Sequence, residues 1–105
     1  MKTKTITVYA DPGHAWAKVS KKELIKLGIA DDISSCSYEN GDFAFLEEDC
    51  DLEKYILALR AKGIAYKFKE NHTNRQSRIR NYYHYLRPRD MKPRVEIARV
   101  DRITF

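Results

Sequence analysis

The dipeptide Asn40-Gly41, which lies between two segments of alternating apolar and polar residues, is the feature that most constrains the fold. Such a dipeptide predicts a two-residue hairpin with a type I′ turn, because both central positions of that turn need a positive φ. This register places Tyr38 opposite Phe43 and Cys36 opposite Phe45, with all four side chains on one face. We therefore expect an antiparallel pair of strands whose core face carries these four residues.

Three further segments are predicted strands because they are short, alternate in polarity and are rich in β-branched or aromatic residues. They are residues 3–9, 15–19 and 64–69. Asp11-Pro12-Gly13 separates the first two and predicts a tight turn, since proline presets one φ angle and glycine permits a positive one. In the third segment, the side chains of Ile64, Tyr66 and Phe68 are expected to face the core.

Two short helices alternate with these strands. The first is predicted to begin at a capping box formed by Ser20 and Glu23 and to end at Gly28 in a Schellman motif. The second is predicted to follow the acidic run 47–51, to carry an apolar stripe over about 11 residues and to end at Gly63. The order ββαββαβ predicts an α+β fold, with an antiparallel or mixed sheet and both helices on one face.

Length and composition predict a single domain. The chain has 105 residues, of which 43% are hydrophobic and 33% charged, which suffices for one core without metals or disulfides. We assign residues 1–71 to the α+β core, and residues 72–105 to a basic Arg/Tyr-rich segment with a last strand at 95–105 in the same domain.

No apolar run approaches the roughly 18 residues that span a bilayer, so we expect a cytoplasmic protein with no membrane partner. Cys36 and Cys50 are expected to be unpaired.

Charge is divided into three blocks along the chain. Residues 1–30 carry a net charge of +4, residues 31–53 a net charge of −9 and residues 54–105 a net charge of +10. Two interpretations are open: the folded protein presents opposite faces to two different partners, or the blocks neutralise each other within the fold. The overall charge of +5 favours an anionic partner.

The segment most informative for function is the basic, tyrosine-rich stretch from His72 to Arg94. Guanidinium groups bind phosphates or carboxylates, and tyrosine rings provide flat surfaces on which bases or partner side chains stack. If residues 75–85 form a helix, Arg75, Arg78 and Tyr82 share one face; the alternative is a solvated basic surface whose tyrosines pack on the domain. The binding candidates are His72, Asn74, Arg75, Arg78, Arg80, Tyr82, Tyr83, Arg87 and Arg89.

Arg75, Arg78 and Arg80 are expected to form the centre of this surface. Glu70 and Asp90 are the nearest acidic residues along the chain, so local ion pairs are not expected to neutralise all three arginines. Exposed arginines contribute little to folding. Replacing the three with alanine is therefore expected to leave stability nearly unchanged.

Two other clusters are secondary candidates. Asp11 and His14 would make an acid–base pair beside Trp16, or else the histidine hydrogen-bonds the turn and the tryptophan packs in the core. The acidic residues Glu47, Glu48, Asp49 and Asp51 would hold a divalent metal in a nuclease-like site, or else they cap the second helix. The sequence contains no phosphate-binding loop, dinucleotide fingerprint or nucleophile elbow, so we assign no catalytic residue, cofactor or resident metal.

Four motifs also carry a resemblance: D-P-G-H-A-W at 11–16, S-Y-E-N-G-D at 37–42, F-L-E-E-D-C-D at 45–51 and H-T-N-R-Q-S-R-I-R-N-Y at 72–82. Together they resemble a family of small accessory proteins of tailed phages and prophages that has no established activity. The resemblance covers about residues 5–85 and not the tail that follows. It implies a phage setting, and it implies no catalytic residues because the family has no established activity. Small phage accessory proteins commonly act by binding host machinery, including defence nucleases.

Three functions are compatible with the sequence. The first is a non-enzymatic phage accessory protein that binds and inhibits a host factor or defence nucleoprotein, as anti-CRISPR and other anti-defence proteins do. The second is direct nucleic-acid binding through the basic segment. The third is a metal-dependent nuclease. In the first two, the host protein, nucleoprotein or nucleic acid contacts the arginines and tyrosines of the basic segment; the oligomeric state is not indicated.

Overall fold

The computed structural model describes residues 3–91 and contains one mixed sheet of six strands with two α-helices. The strands are β1 (Thr3–Ala10), β2 (Ala15–Ser20), β3 (Tyr38–Asn40), β4 (Phe43–Glu47), β5 (Ala65–His72) and β6 (Tyr83–His84), and the helices are α1 (Lys21–Lys26) and α2 (Leu52–Ala61). The strand order is β5-β1-β2-β4-β3-β6, and β1 and β5 form the one parallel pair in this sheet. The predicted α+β class and the order of the first seven elements are confirmed.

The start of α1 and the C-terminal ends of both helices are as predicted. Ser20 caps α1, where its hydroxyl accepts a hydrogen bond from the backbone N–H of Glu23 at 3.1 Å. Gly28 and Gly63 follow the two helices with φ angles of 77° and 68°, a conformation that glycine adopts without steric cost. In each case the next residue donates its N–H to a carbonyl five positions earlier, at 3.0 and 2.9 Å. Both are Schellman motifs.

The hairpin forms at the predicted place but in a different register. Asn40 pairs with Phe43, and Tyr38 pairs with Phe45, so the turn residues are Gly41 and Asp42. Of these two, only Gly41 has a positive φ, 61°, which fits a type II′ turn with glycine first and excludes type I′. The predicted register is therefore wrong. Phe45 is buried, whereas Phe43 remains 38% exposed.

The face of the sheet toward α1 and α2 carries the larger core. Buried apolar residues of three strands meet buried apolar residues of both helices there. They are Ile6, Ala17, Val19, Ala44, Leu46, Leu24, Tyr55 and Leu59. The predicted stripe of α2 is confirmed, because Tyr55 and Leu59 are fully buried and Leu52 and Ile56 are partly buried against this core.

The opposite face of the sheet is covered by the segment 73–82. Trp16 and Phe45 from the strands and Ile79 from this segment are buried together. The helix considered for residues 75–85 does not form, since a single 3₁₀ turn forms at Arg78–Asn81. Ser77, just before this turn, has an extended backbone, and Tyr83 and His84, just after it, pair with β3 as a strand. A longer helix is therefore excluded on both sides of the turn.

β5 is an edge strand and is mostly exposed. Ile64 and Tyr66 pack partly against the helix-side core, but Phe68 is 51% exposed. Phe68 lies beside Ile6 on the expected face of the sheet, but it is not buried, because the packed core reaches only the beginning of this strand.

The basic segment is integrated with the core as far as the structure describes it. Tyr85 is buried among the helix-side residues, and its hydroxyl donates to the backbone carbonyl of Ala30 at 2.6 Å. The predicted strand at 95–105 lies outside the described residues. Within residues 3–91, no helix is both long enough and apolar enough to cross a membrane.

Cys36 and Cys50 are unpaired and exposed. The prediction that Cys36 lies on the core face is wrong, because β3 begins only at Tyr38. Cys36 lies instead in the preceding turn, where its backbone N–H donates to the hydroxyl of Ser34 at 3.1 Å.

Candidate functional site

Asp11 organises the turn between β1 and β2. Its Oδ1 accepts hydrogen bonds from the backbone N–H groups of Gly13 and His14, both at 2.9 Å. Its own backbone N–H donates to the carbonyl of His14 at 2.9 Å. Aspartate side chains commonly close turns in this way. The Asp11 carboxylate therefore stabilises the turn through backbone hydrogen bonds, and it is not an acid–base partner of the His14 ring.

The same carboxylate anchors the segment 73–82. Oδ2 accepts hydrogen bonds from the backbone N–H of Ser77 at 2.9 Å and from Arg80 Nε at 2.8 Å, and Oδ1 accepts one from Arg80 Nη2 at 3.0 Å. This two-pronged contact is the geometry that guanidinium groups make with carboxylates. The Arg80 guanidinium holds the pKa of Asp11 well below its usual range, helped by the backbone N–H donors and opposed by burial.

Arg80 is therefore part of the framework. Its guanidinium lies over the ring of Trp16, 5.3 Å from the centroid, and a Cβ atom at Gly13 would lie only 2.9 Å from Arg80 Nη2. The absence of a side chain at Gly13 thus lets the guanidinium approach the turn. Arg80 was expected at the centre of the binding surface, but its guanidinium is paired with Asp11, which is 69 residues away in sequence.

An open groove of about 580 Å³ lies between the segment 73–82 and the sheet. Most of the side chains that line it are basic, aromatic or polar; they include Lys18, Arg75 and Arg78, then Tyr9, Phe43, Phe45 and Tyr82, and then Asn40, Asn71, His72 and Gln76. Among the described residues that line it, none is an aspartate or glutamate. We call this feature the basic groove.

Aromatic rings lie on the floor of the basic groove, and three of them are neighbours. The ring centroid of Phe45 lies 5.2 Å from that of Tyr82 and 6.3 Å from that of Tyr9. Lys18 Nζ lies 4.2 Å from the centroid of the Phe43 ring, which is a cation–π distance. Because Phe43 is 38% exposed, part of this aromatic surface remains open to a ligand.

Four of the predicted binding residues line the basic groove: His72, Arg75, Arg78 and Tyr82. Arg75 and Arg78 are exposed, and within residues 3–91 neither forms an ion pair with a carboxylate. The structure therefore brings together two of the three central arginines with one tyrosine, while Arg80 holds the wall of the groove in place from behind.

The remaining predicted binding residues, Asn74, Tyr83, Arg87 and Arg89, do not line the groove. Tyr83 is 84% exposed on β6, and its register with Glu39 places it on the opposite side of the sheet from the aromatic floor. Arg87 forms an ion pair with Asp90 at 2.6 Å, and Asn74 and Arg89 are exposed.

The acidic run at 47–51 divides into two parts. Asp51 is fully buried and accepts hydrogen bonds from the hydroxyls of Ser34 and Ser37 and from Lys54 Nζ. These partners give Asp51 a structural role at the start of α2, so the four-carboxylate metal site considered from the sequence is not assembled. Glu47 instead lies beside His14, whose Nδ1 is 2.9 Å from Glu47 Oε2.

The sequence reasoning missed Lys18, Tyr9 and Phe43 as groove residues. Lys18 alternates with the apolar residues Ala17 and Val19, and this pattern alone indicates that it faces away from the helix-side core. No comparable local signal identifies the segment 73–82 as the cover of that face.

No protein-family model, curated protein or solved structure matches this chain.

Proposed function

We propose that the protein is a non-enzymatic binding protein that holds a single nucleic-acid strand in the basic groove. The observation that carries this proposal is the composition of the groove wall. Lys18, Arg75 and Arg78 stand beside four aromatic rings, and no described lining residue is acidic. Positive charge interleaved with aromatic surface is the pattern of proteins that bind single strands, in which phosphates contact the cations and bases stack on the rings.

The dimensions of the basic groove favour an unpaired strand over a duplex. Its volume of about 580 Å³ falls within the range of roughly 300–1,000 Å³ typical of ligand pockets. A pocket of this size accommodates a splayed base with its phosphate. A duplex would present stacked bases that cannot reach the aromatic floor.

Further positive charge continues along the same face of the sheet. Asn71 lines the groove, and it is paired with Tyr9 at the parallel β1–β5 contact. Lys69 and Lys67 precede it at alternate positions of β5, where they are exposed on the same face. These lysines extend the basic groove into a track that a strand of several nucleotides would follow.

The resemblance to phage accessory proteins suggests a setting for this activity. In that setting the strand belongs to a host defence nucleoprotein, and occupation of the strand inhibits its function. Binding to an acidic surface of a host protein is the competing interpretation, since guanidinium groups also bind carboxylates in two-pronged contacts.

The decisive experiment compares wild type with the double variant Arg75→Ala/Arg78→Ala. Binding to fluorescent single-stranded DNA and RNA is measured by anisotropy over a series of salt concentrations. Each phosphate contact to a single strand contributes about 0.7 to the slope of log K against log salt. We expect the double variant to lose about 1.4 units of slope if each arginine contacts one phosphate, with similar losses for different base sequences.

Lys22→Ala/Lys26→Ala is the matched control, because it removes the same charge from exposed positions on α1, on the other face of the sheet. Arg80 is left unchanged, since its loss would damage the fold. The proposal is refuted if wild type does not bind single strands, or if both double variants weaken binding equally. A salt-insensitive complex with a host protein, dominated by one arginine, would support the competing interpretation.

A further inference from the structure

A second cluster of polar side chains lies outside the basic groove, at the end where β2 begins and β4 ends. His14 precedes β2, Glu47 is the last residue of β4, and Asp49 follows in the next loop. One ligand-type atom of each side chain, an imidazole nitrogen or a carboxylate oxygen, lies within 4.8 Å of the others. Three different chain positions thus converge on one point.

The backbone fixes the orientation of the central carboxylate. Glu47 Oε1 accepts a hydrogen bond from the backbone N–H of Asp49 at 2.7 Å, while Glu47 Oε2 lies 2.9 Å from His14 Nδ1. The side chain of Glu47 is only 10% exposed. One carboxylate oxygen is therefore held by the loop, and the other is presented toward the imidazole.

Negative charge exceeds positive charge around this cluster. Within residues 3–91, Glu48 and Asp49 have no lysine or arginine partner, and the one ion-pair partner of Glu47 is the His14 ring. The nearby guanidinium of Arg80 is already bound to Asp11.

Trp16 supplies an independent observation. It is 2% exposed, and its indole Nε1 is buried without a hydrogen-bond partner among the described residues. Trp16 is the direct cross-strand neighbour of Glu47, and its ring centroid lies 6.0 Å from that of His14. A buried polar donor usually has a partner, and none of the described residues supplies one here.

We propose that His14, Glu47 and Asp49 form a binding site for a divalent transition-metal ion, separate from the basic groove. A set of one imidazole and two carboxylates suits Mn²⁺, Fe²⁺, Co²⁺ or Zn²⁺ better than Mg²⁺ or Ca²⁺, which prefer oxygen ligands alone. The bound ion offsets the excess negative charge and ties the β1–β2 turn to the loop after β4.

Mn²⁺ is the best probe, because the exposed thiols of Cys36 and Cys50 would bind Zn²⁺ themselves. The chelator-treated full chain is titrated with Mn²⁺, and binding is followed by calorimetry and by quenching of Trp16, the one tryptophan of the chain. We expect saturable binding of one ion per chain. Mg²⁺ at the same concentrations should not displace it.

Two variants and one control assign the ligands. Asp49→Asn and His14→Gln alter exposed side chains, and each is expected to weaken Mn²⁺ binding by at least about tenfold. Asp42→Asn removes the same charge from an exposed turn and should leave binding unchanged. Absence of saturable Mn²⁺ binding in wild type would overturn the proposal, as would unchanged affinity in both ligand variants or equal losses in all three. Circular dichroism of each variant distinguishes loss of a ligand from loss of the fold.

Discussion

Replacing Asp11 with alanine tests how the groove wall is held in place. The substitution removes a carboxylate that accepts hydrogen bonds from the backbone N–H groups of Gly13, His14 and Ser77 and two more from Arg80. Each lost backbone bond is worth about 1 kcal/mol, although donors near the surface recover part of this from water. Loss of the partner of a charged group adds to the cost. We expect the free energy of unfolding to fall by about 3 kcal/mol.

A loss of this size is easily measured. It is a large share of the 5–15 kcal/mol typical of a whole domain, and it lowers Tm by on the order of 10–20 °C for a chain of this length. Urea unfolding followed by Trp16 fluorescence reports directly on this region, because Arg80 packs on that ring. Asp90→Ala is the control: its pair with Arg87 is about 40% exposed on both sides, so we expect a loss below about 0.5 kcal/mol.

The pH dependence gives a second test of the same contact. The pKa of Asp11 lies well below its usual range in the folded protein, whereas an aspartate in an unfolded chain has a pKa of about 3.9. The stabilisation by this carboxylate is therefore complete at neutral pH and is lost as the pH falls below about 4. The gap between wild type and Asp11→Ala should narrow by about 1 kcal/mol at about pH 3. A loss under about 1 kcal/mol at neutral pH, or a gap that acid leaves unchanged, would refute the reasoning.

Two further predictions concern the hairpin and the thiols. Phe45→Ala should lower the free energy of unfolding by about 3–5 kcal/mol, whereas Phe43→Ala should cost less than about 1.5 kcal/mol because Phe43 is 38% exposed; equal losses in urea unfolding would contradict the register. The neighbouring Cys36 side chain, and then burial, raise the pKa of the Cys50 thiol to about 11, so alkylation of Cys50 in mild base, followed by mass spectrometry, should be faster in Cys36→Ala than in wild type. An unchanged rate would count against that contact.

The sequence predicted the parts of the fold that depend on local rules. The cap at Ser20 and the glycine stops at Gly28 and Gly63 depend on backbone geometry within a few residues, and all three were predicted correctly. The hairpin register was missed by one position. Types I′ and II′ both accept a glycine, so the dipeptide Asn40-Gly41 alone does not decide whether the glycine is the first or the second residue of the turn.

The groove could not be predicted as a whole because it depends on contacts between distant parts of the chain. The Arg75–Arg78 segment was identified correctly as a basic surface of the domain from its composition. Its conformation was not, since Asp11 holds Ser77 from 66 residues away and nothing in the local pattern around Arg80 indicates that partner. Arg80 is likewise 69 residues from Asp11 in sequence. Because this partner is so distant, Arg80 was expected to bind a ligand, although it stabilises the fold.

The carboxylates of the acidic block at 31–53 do not neutralise the positive charge of the basic groove. Glu39 binds Lys21 and Asp51 binds Lys54, so several of its carboxylates are used within the fold, and none of the described ones lines the groove. These ion pairs support the interpretation in which the charge blocks partly neutralise each other within the fold.

The exposed arginines of the groove lie on a backbone that is fixed before any ligand arrives. Arg78 stands between Ser77, whose N–H is bound by Asp11, and Ile79, which is buried against the sheet. Binding then has to order side chains alone, and this reduces its entropic cost. If the basic groove binds a strand as proposed, Asp11 and Arg80 contribute by positioning their neighbours, without contact to the ligand.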